Sequence, residues 1–142
     1  MKLTKFIFSI LFLTLLGCQQ NRVKRLLPGS WNMVSHKKVD QFSFMQDCNG
    51  VGTLELGDYQ KNNGSFHFTF SSNCSSTNYS WNESGKYQVI EQGQDFLFIR
   101  SNSSSILDTI KYQLFIVTSS DLKIGFRDAL TNESHEFLFS RI

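Results

Sequence analysis

The chain has 142 residues, with 14 basic and 12 acidic side chains, a formal charge of +2, and 14 phenylalanines against a single proline. Charges of both signs are scattered along it, so there is no clustered basic face of the kind that nucleic acid requires. Two of the basic residues, Lys2 and Lys5, lie at the very start; beyond position 17 basic and acidic residues balance at 12 each, and that remainder is long enough to bury the core of one domain.

In chain order the first element is the apolar run Phe6 to Leu16, preceded by Lys2 and Lys5 and followed by Gly17. A charged start, a short apolar stretch and a small residue at its end form a secretory signal peptide. The run is too short for an ordinary spanning helix, which takes roughly 20 apolar residues. With Cys18 directly after it, Leu15-Leu16-Gly17-Cys18 resembles the lipobox of bacterial lipoproteins. That resemblance implies removal of residues 1–17, diacylation of Cys18, and attachment of the chain to a membrane through its lipids. Gln19 in place of an acidic residue points by the same resemblance to the outer membrane, and the lack of an acidic run after it points to the periplasmic face. Residues 18–27 then read as a tether that ends at Pro28, the only proline. Its cluster Arg22, Lys24 and Arg25 either touches anionic headgroups, at about 1 kcal/mol per charge, or is plain solvated linker.

Residues 28–142 read as an all-β domain. Phe66, Phe68 and Phe70 alternate with polar residues; Ile110, Tyr112, Leu114 and Ile116 share a face, as do Leu122, Ile124 and Phe126, then Phe137 and Phe139. Period-2 patterning is the signal of half-buried strands. Shorter candidates are Trp31–Val39, Val51–Leu56, Tyr79–Asn82, Lys86–Glu91 and Asp95–Ser101. Asn62-Asn63-Gly64 carries the Asn-Gly pair favoured in tight hairpins, while Glu91-Gln92-Gly93 and Ser119-Ser120-Asp121 are short enough to force antiparallel neighbours. Ser101–Ser105 reads as loop. The count is eight or nine strands in up-and-down order. Such a chain hides its edges by closing into a small barrel or by stacking two sheets, and the barrel is the expectation.

Two cysteines remain in this domain, Cys48 and Cys74. In an exported chain they either form a disulfide, worth roughly 3 kcal/mol in the chain-entropy model, or stay as separate thiols. Neither has a ligand partner at finger or ribbon spacing, so no metal site is expected.

Gly29-Ser30-Trp31 opens the first strand after Leu26-Leu27-Pro28. This Gly-x-Trp resembles the lipocalin signature, and more closely the short lipocalin-like domains of bacterial lipoproteins. In those, segments like Gly85-Lys86-Tyr87-Gln88-Val89 and Tyr112-Gln113-Leu114, then Ser119-Ser120-Asp121-Leu122-Lys123-Ile124, follow in the same order. The resemblance implies an eight-stranded up-and-down barrel closed by Trp31 with an arginine across its indole. A guanidinium over an aromatic face is favourable where water is excluded. Arg141 shares parity with Phe137 and Phe139 and is the expected partner, whereas Arg127 is out of phase with its apolar neighbours; the alternative is a plain core tryptophan and a fraying terminal arginine. The chain is shorter than a usual lipocalin and shows no C-terminal amphipathic helix. An eight-stranded barrel is wide enough only for its own side chains or one small ligand, so inward phenylalanines leave open whether it is hollow.

Signatures of catalysis are absent: there is no Gly-x-Ser-x-Gly, no His-Glu-x-x-His and no phosphate loop. His36, His67 and His135 are far apart in sequence, and His67 lies opposite the phenylalanine face. Carboxylates come singly, without the facing pair that glycoside hydrolysis needs. Asp108-Thr109-Ile110 resembles a short O-glycosylation acceptor, although three residues of that kind also arise where any strand begins. No enzyme activity and no cofactor are expected. The leading reading is a lipid-anchored module binding a small hydrophobic ligand, with the ligand-binding residues unknown. The alternative is an interaction scaffold that binds an envelope protein or glycan through loops such as Ser71–Tyr79.

Overall fold

The computed structural model describes residues 19–40, 42, 44–90, 93–100 and 109–142, with backbone alone at 97 and 100. Eight strands run in sequence: β1 (Gly29–Val39), β2 (Met45–Leu56), β3 (Gly64–Cys74), β4 (Thr77–Ile90), β5 (Asp95–Arg100), β6 (Thr109–Val117), β7 (Asp121–Arg127) and β8 (Ser134–Arg141). Each pairs antiparallel with its successor, and β8 pairs back onto β1, so the sheet closes on itself. Closure removes the unpaired edges that would otherwise template aggregation. It also settles the barrel over the two-sheet sandwich.

The alternation read from the sequence drives this. Phe66, Phe68 and Phe70 on β3, Tyr87 and Val89 on β4, Phe96 and Phe98 on β5, Leu122 and Ile124 on β7, and Phe137 and Phe139 on β8 are all buried inside. Their rings interlock: Phe66 and Phe98 stack with centroids 4.1 Å apart, and Phe68 meets Phe137 edge-on at 5.6 Å. Offset and edge-to-face pairs of this kind add to the burial of apolar area. From its closed end to its middle the barrel is filled by its own side chains.

Three expectations are revised. The two candidates Tyr79–Asn82 and Lys86–Glu91 belong to one strand, β4, because the polar residues between them keep the same phase and pair along β3 without interruption. The tight turn between β2 and β3 falls at Gln60–Asn63, closed by reciprocal backbone bonds of 2.8 and 3.1 Å, with Lys61 carrying the positive φ. Gly64 instead lies inside β3, where a Cβ would sit 2.4 Å from the Tyr87 ring, so close packing and not turn geometry requires glycine there. Finally, residues 19–26, read as a tether, form a helix, α1, whose Val23 and the following Leu27 are buried against the barrel core. The apolar side chains at 23 and 27, one helical turn apart, cover the open base of the barrel. The Ser119-Ser120-Asp121 hairpin is present between β6 and β7, with Thr118 N donating to Asp121 O at 2.9 Å. Residues 1–18, the Glu91-Gln92 pair, the Ser101–Ser105 loop and Asp108 lie outside the described residues.

Candidate functional site at the barrel mouth

The connections divide between two ends. The β2–β3 and β6–β7 connections, Gly93-Gln94 ahead of β5, and α1 lie at the base, whereas the described parts of the β1–β2, β3–β4 and β7–β8 connections surround the mouth.

At the base, Trp31 is fully buried and its Nε1–H donates to Leu27 O at 3.0 Å. Arg141 Cζ lies 4.1 Å from the Trp31 ring centroid. The same guanidinium donates to Ser119 O and Pro28 O, both at 2.7 Å, and to Leu26 O. Gly29, at φ 139°, makes room for it, since a Cβ there would stand 2.3 Å from Nη1. Arg127 is exposed. The base is a plug made of one indole, one guanidinium and the carbonyls of the chain entering β1.

The mouth holds the chemistry. His36 and His135 are both buried, and His36 Nε2 is 3.0 Å from His135 Nδ1. His36 Nδ1 is 2.8 Å from the Ser72 hydroxyl, itself buried. Two features of the strands bring the imidazoles together. On β8, His135 has the parity of Phe137 and Phe139 and so points inward. Along β1 the register shifts against β2 between Asn32 and His36, and against β8 between Met33 and Ser35. The residue that β1 has in excess over β8, Val34, is pushed out to solvent at 59% exposure. Such a bulge flips the phase of the strand, so Trp31 and His36 both face inward although they are an odd number of residues apart.

Aromatic rings enclose the pair. His36 stacks on Phe137 at 4.6 Å and meets Phe70 edge-on at 5.6 Å; His135 stacks on Phe126 at 5.0 Å and meets Tyr79 at 5.1 Å. Trp81 packs against Phe126 at 5.0 Å. On the rim, Glu133 accepts from the Lys38 ammonium and the Tyr79 hydroxyl, each at 3.1 Å. Burial among these rings pushes His36 down to about 4, with His135 and Lys38 adding to the shift. It also lowers His135, against the opposing pull of Glu133 and Asp128. Both imidazoles are therefore neutral at pH 7, and each offers one donor and one acceptor. Burial works to raise Glu133, but its bonds to Lys38 and Tyr79 outweigh that and hold it below the usual carboxylate range.

Cys48 and Cys74 lie beside the imidazoles. They face each other across β2 and β3 with Cα atoms 4.4 Å apart and sulfurs 1.96 Å apart, a disulfide geometry. Cys74 Sγ is 3.9 Å from His36 Nδ1. The Ser71–Tyr79 segment is not a loop: β3 runs to Cys74, β4 starts at Thr77, and only Ser75 and Ser76 turn between them. His67 is exposed and bonds Asn82 Oδ1 at 3.1 Å.

The structure brings Arg141 to Trp31 and Cys48 to Cys74, and it adds the His36–His135 pair, which sequence reasoning missed. The parity of His135 was a readable signal; the bulge at Val34 was not.

No family model and no curated protein matches the chain. Among solved structures it is similar to small designed barrels. A de novo designed fluorescence-activating β-barrel aligns with TM-score 0.54 at 14% identity, covering 84% of this chain and 97% of that one. The redesigned barrels mFAP0 and mFAP1, each bound to DFHBI, align with TM-score 0.54 at 11% and 10% identity, covering 82% and 84% of this chain and 99% of each partner. At such identities the likeness is one of architecture: the chain is a small, closed, eight-stranded antiparallel barrel.

Proposed function

We propose that this chain is a binding module, anchored to the outer membrane through lipids on Cys18 and facing the periplasm, whose barrel holds a small, flat, mostly apolar ligand at its mouth. The observation that carries the ligand reading is the mouth itself: two neutral buried imidazoles, bonded to each other and to Ser72, walled by Phe70, Tyr79, Trp81, Phe126 and Phe137. Aromatic walls with a few placed polar groups are the usual make-up of a small-molecule site. Since aromatic side chains fill the barrel below, the ligand sits above Phe70 and Phe137 and does not penetrate to the base. The DFHBI-bound barrels of like architecture support a ligand of this size and shape. The anchored reading draws on the lipobox-like Leu15-Leu16-Gly17-Cys18, and the docked helix α1 sets Gln19 at the base, opposite the mouth.

Native mass spectrometry of residues 19–142, followed by organic extraction, tests the binding reading, with DFHBI fluorescence as a defined probe. A released small molecule, or DFHBI fluorescence that Trp81→Ala abolishes, is the expected result. A bare mass together with fluorescence indifferent to Trp81 and His135 substitution rules the mouth out. For the anchor, Cys18→Ser is expected to abolish palmitate labelling of the full chain; persistent labelling overturns that part.

A second reading, docking of an envelope protein, is favoured by one observation. Phe42, Phe44 and Met45 beside the β1–β2 connection and Leu130 in the neighbouring β7–β8 connection are all exposed. Loss of a crosslinked partner on Phe42→Ser plus Phe44→Ser, with DFHBI binding unchanged, would favour this reading over the first.

A further inference from the structure

We propose that, once their disulfide is reduced, Cys48, Cys74 and His36 form a binding site for a thiolate-preferring divalent cation of the zinc class. The three residues come from β2, β3 and β1, all are buried, and their ligand atoms lie within 4.8 Å of one another. No finger or ribbon spacing announces the site because barrel register builds it: His36 is the Cα partner of Cys48 across β1 and β2, and Cys48 faces Cys74 across β2 and β3.

The chemistry of the donor set fits the cation. Zinc–sulfur bonds of about 2.3 Å and zinc–nitrogen bonds of about 2.0 Å at a tetrahedral centre set nitrogen and sulfur roughly 3.5 Å apart. His36 Nδ1 and Cys74 Sγ already stand at 3.9 Å. With its proton on Nε2, His36 donates to His135 Nδ1 and turns the Nδ1 lone pair toward Ser72 and the sulfurs. A ligating imidazole held through its other nitrogen is the arrangement that orients metal-bound histidines. His135 is therefore a positioning residue, and the stack of His36 on Phe137 fixes the plane of the ring. Two thiolates and a neutral imidazole around a divalent cation carry no net charge. That balance is what a buried site among aromatic rings demands. Three protein ligands leave a fourth position, open to the Ser72 hydroxyl or to water.

The step balances. A dithiol reductant supplies two electrons and two protons to the Cys48–Cys74 bond and leaves as its own disulfide; the S–S bond breaks and two S–H bonds form. The cation then displaces both thiol protons to solvent as two metal–sulfur bonds form. In reverse, a disulfide oxidant takes up the two electrons of the thiolates and two protons from solvent and leaves as a dithiol. The Cys48–Cys74 bond reforms and the cation is released, so the same three residues carry either a covalent crosslink or a metal. This site shares His36 and His135 with the proposed ligand mouth, but its donor set stands on the Cys48, Cys74 and His36 geometry alone.

The test uses the full chain in detergent, oxidised and then reduced under anaerobic conditions, titrated with Co(II) as an optical probe for the zinc position. One equivalent is expected to bind the reduced chain with a sulfur-to-metal charge-transfer band, which zinc then bleaches, and the oxidised chain is expected to show no band. His36→Gln and His135→Gln are each expected to weaken binding about 10- to 100-fold, with Cys74→Ser abolishing the band. The comparison of oxidised and reduced wild-type protein needs no variant, so a substitution that disturbs folding does not blunt it. A reduced chain that shows no band, or a band of unchanged affinity in folded His36→Gln protein, overturns the proposal.

Discussion

The two ends of this barrel are made of the same kinds of residue, aromatic rings carrying a few polar heads, yet they satisfy those heads in different ways. At the base, Trp31 and Arg141 bond only to backbone carbonyls, at Leu27, Ser119, Pro28 and Leu26. At the mouth, polar heads bond one another: His36 to His135 and Ser72, and Glu133 to Lys38 and Tyr79. A carbonyl does not titrate, and arginine keeps its charge at any pH a protein meets. The base is therefore a permanent fastening. The mouth is conditional, since each of its bonds depends on a proton being in the right place. One end suits a plug, the other a site.

Truncation at the base gives the largest effect that this contrast predicts. Trp31 is fully buried, and its indole is both the floor of the core and the platform for Arg141. Trp31→Ala is expected to cost about 3–5 kcal/mol, the range for removal of a large buried aromatic, and urea denaturation at pH 5 and pH 8 should return the same loss. A loss below 1 kcal/mol would mean that the indole does not hold the base closed. A loss that varies with pH would erase the distinction between the ends.

That contrast also explains what the sequence disclosed. The base was legible because β8 keeps strict alternation from His135 to Arg141 and because Gly29-Ser30-Trp31 has a recognisable form. Burial on a regular strand is a parity rule, and parity needs only the residue number. The mouth was illegible for the same reason: one bulged residue, Val34, reverses the parity of β1, and nothing in Met33-Val34-Ser35 announces it. His36 consequently read as unrelated to His135, and the three-residue cluster with the cysteines could not be assembled from spacing. The Asn63-Gly64 pair misled in a different way, because Tyr87 claims the glycine for packing while the turn forms upstream on Lys61. Residues 19–27 looked like linker by composition, yet Val23 in the short helix and Leu27 just after it are buried and close the base.

An effect that appears only on acidification belongs to the mouth. His36 is held near 4 and His135 is also lowered, both from 6.5, so in the window between those values the unfolded chain binds protons that the folded chain refuses. Stability is then fully present above about pH 6.5 and falls as the pH drops towards 4, by up to about 1.4 kcal/mol per pH unit for each such group. Full protonation would also set two N–H donors against each other across the 3.0 Å His36–His135 contact. Urea midpoints measured from pH 8 to pH 4 should show this acid limb, and His36→Gln should flatten it. A profile that His36→Gln leaves unchanged would assign acid sensitivity to other groups and remove the conditional character claimed for the mouth.

The rim gives the smallest effect and the sharpest discrimination. Glu133 ties Lys38 to Tyr79, but its side chain is 21% exposed, and ion pairs near solvent are worth at most about 1 kcal/mol. Glu133→Gln should therefore lower stability at pH 8 by less than that, and by less still in high salt. Its larger consequence is electrostatic. Glu133 pulls His135 upward against the effect of burial, and removing its charge also frees the Lys38 ammonium to disfavour a second positive charge nearby. Protonation of the folded mouth is then harder, so the acid limb should extend to lower pH in Glu133→Gln than in the parent chain. Proton binding followed by histidine NMR signals would separate the two contributions: the His135 titration should move to lower pH, while the Trp31 indole resonance at the base stays fixed. If both move together, the ends are mechanically coupled through the stacked core from Phe137 to Phe139, and the barrel responds to its mouth as one body.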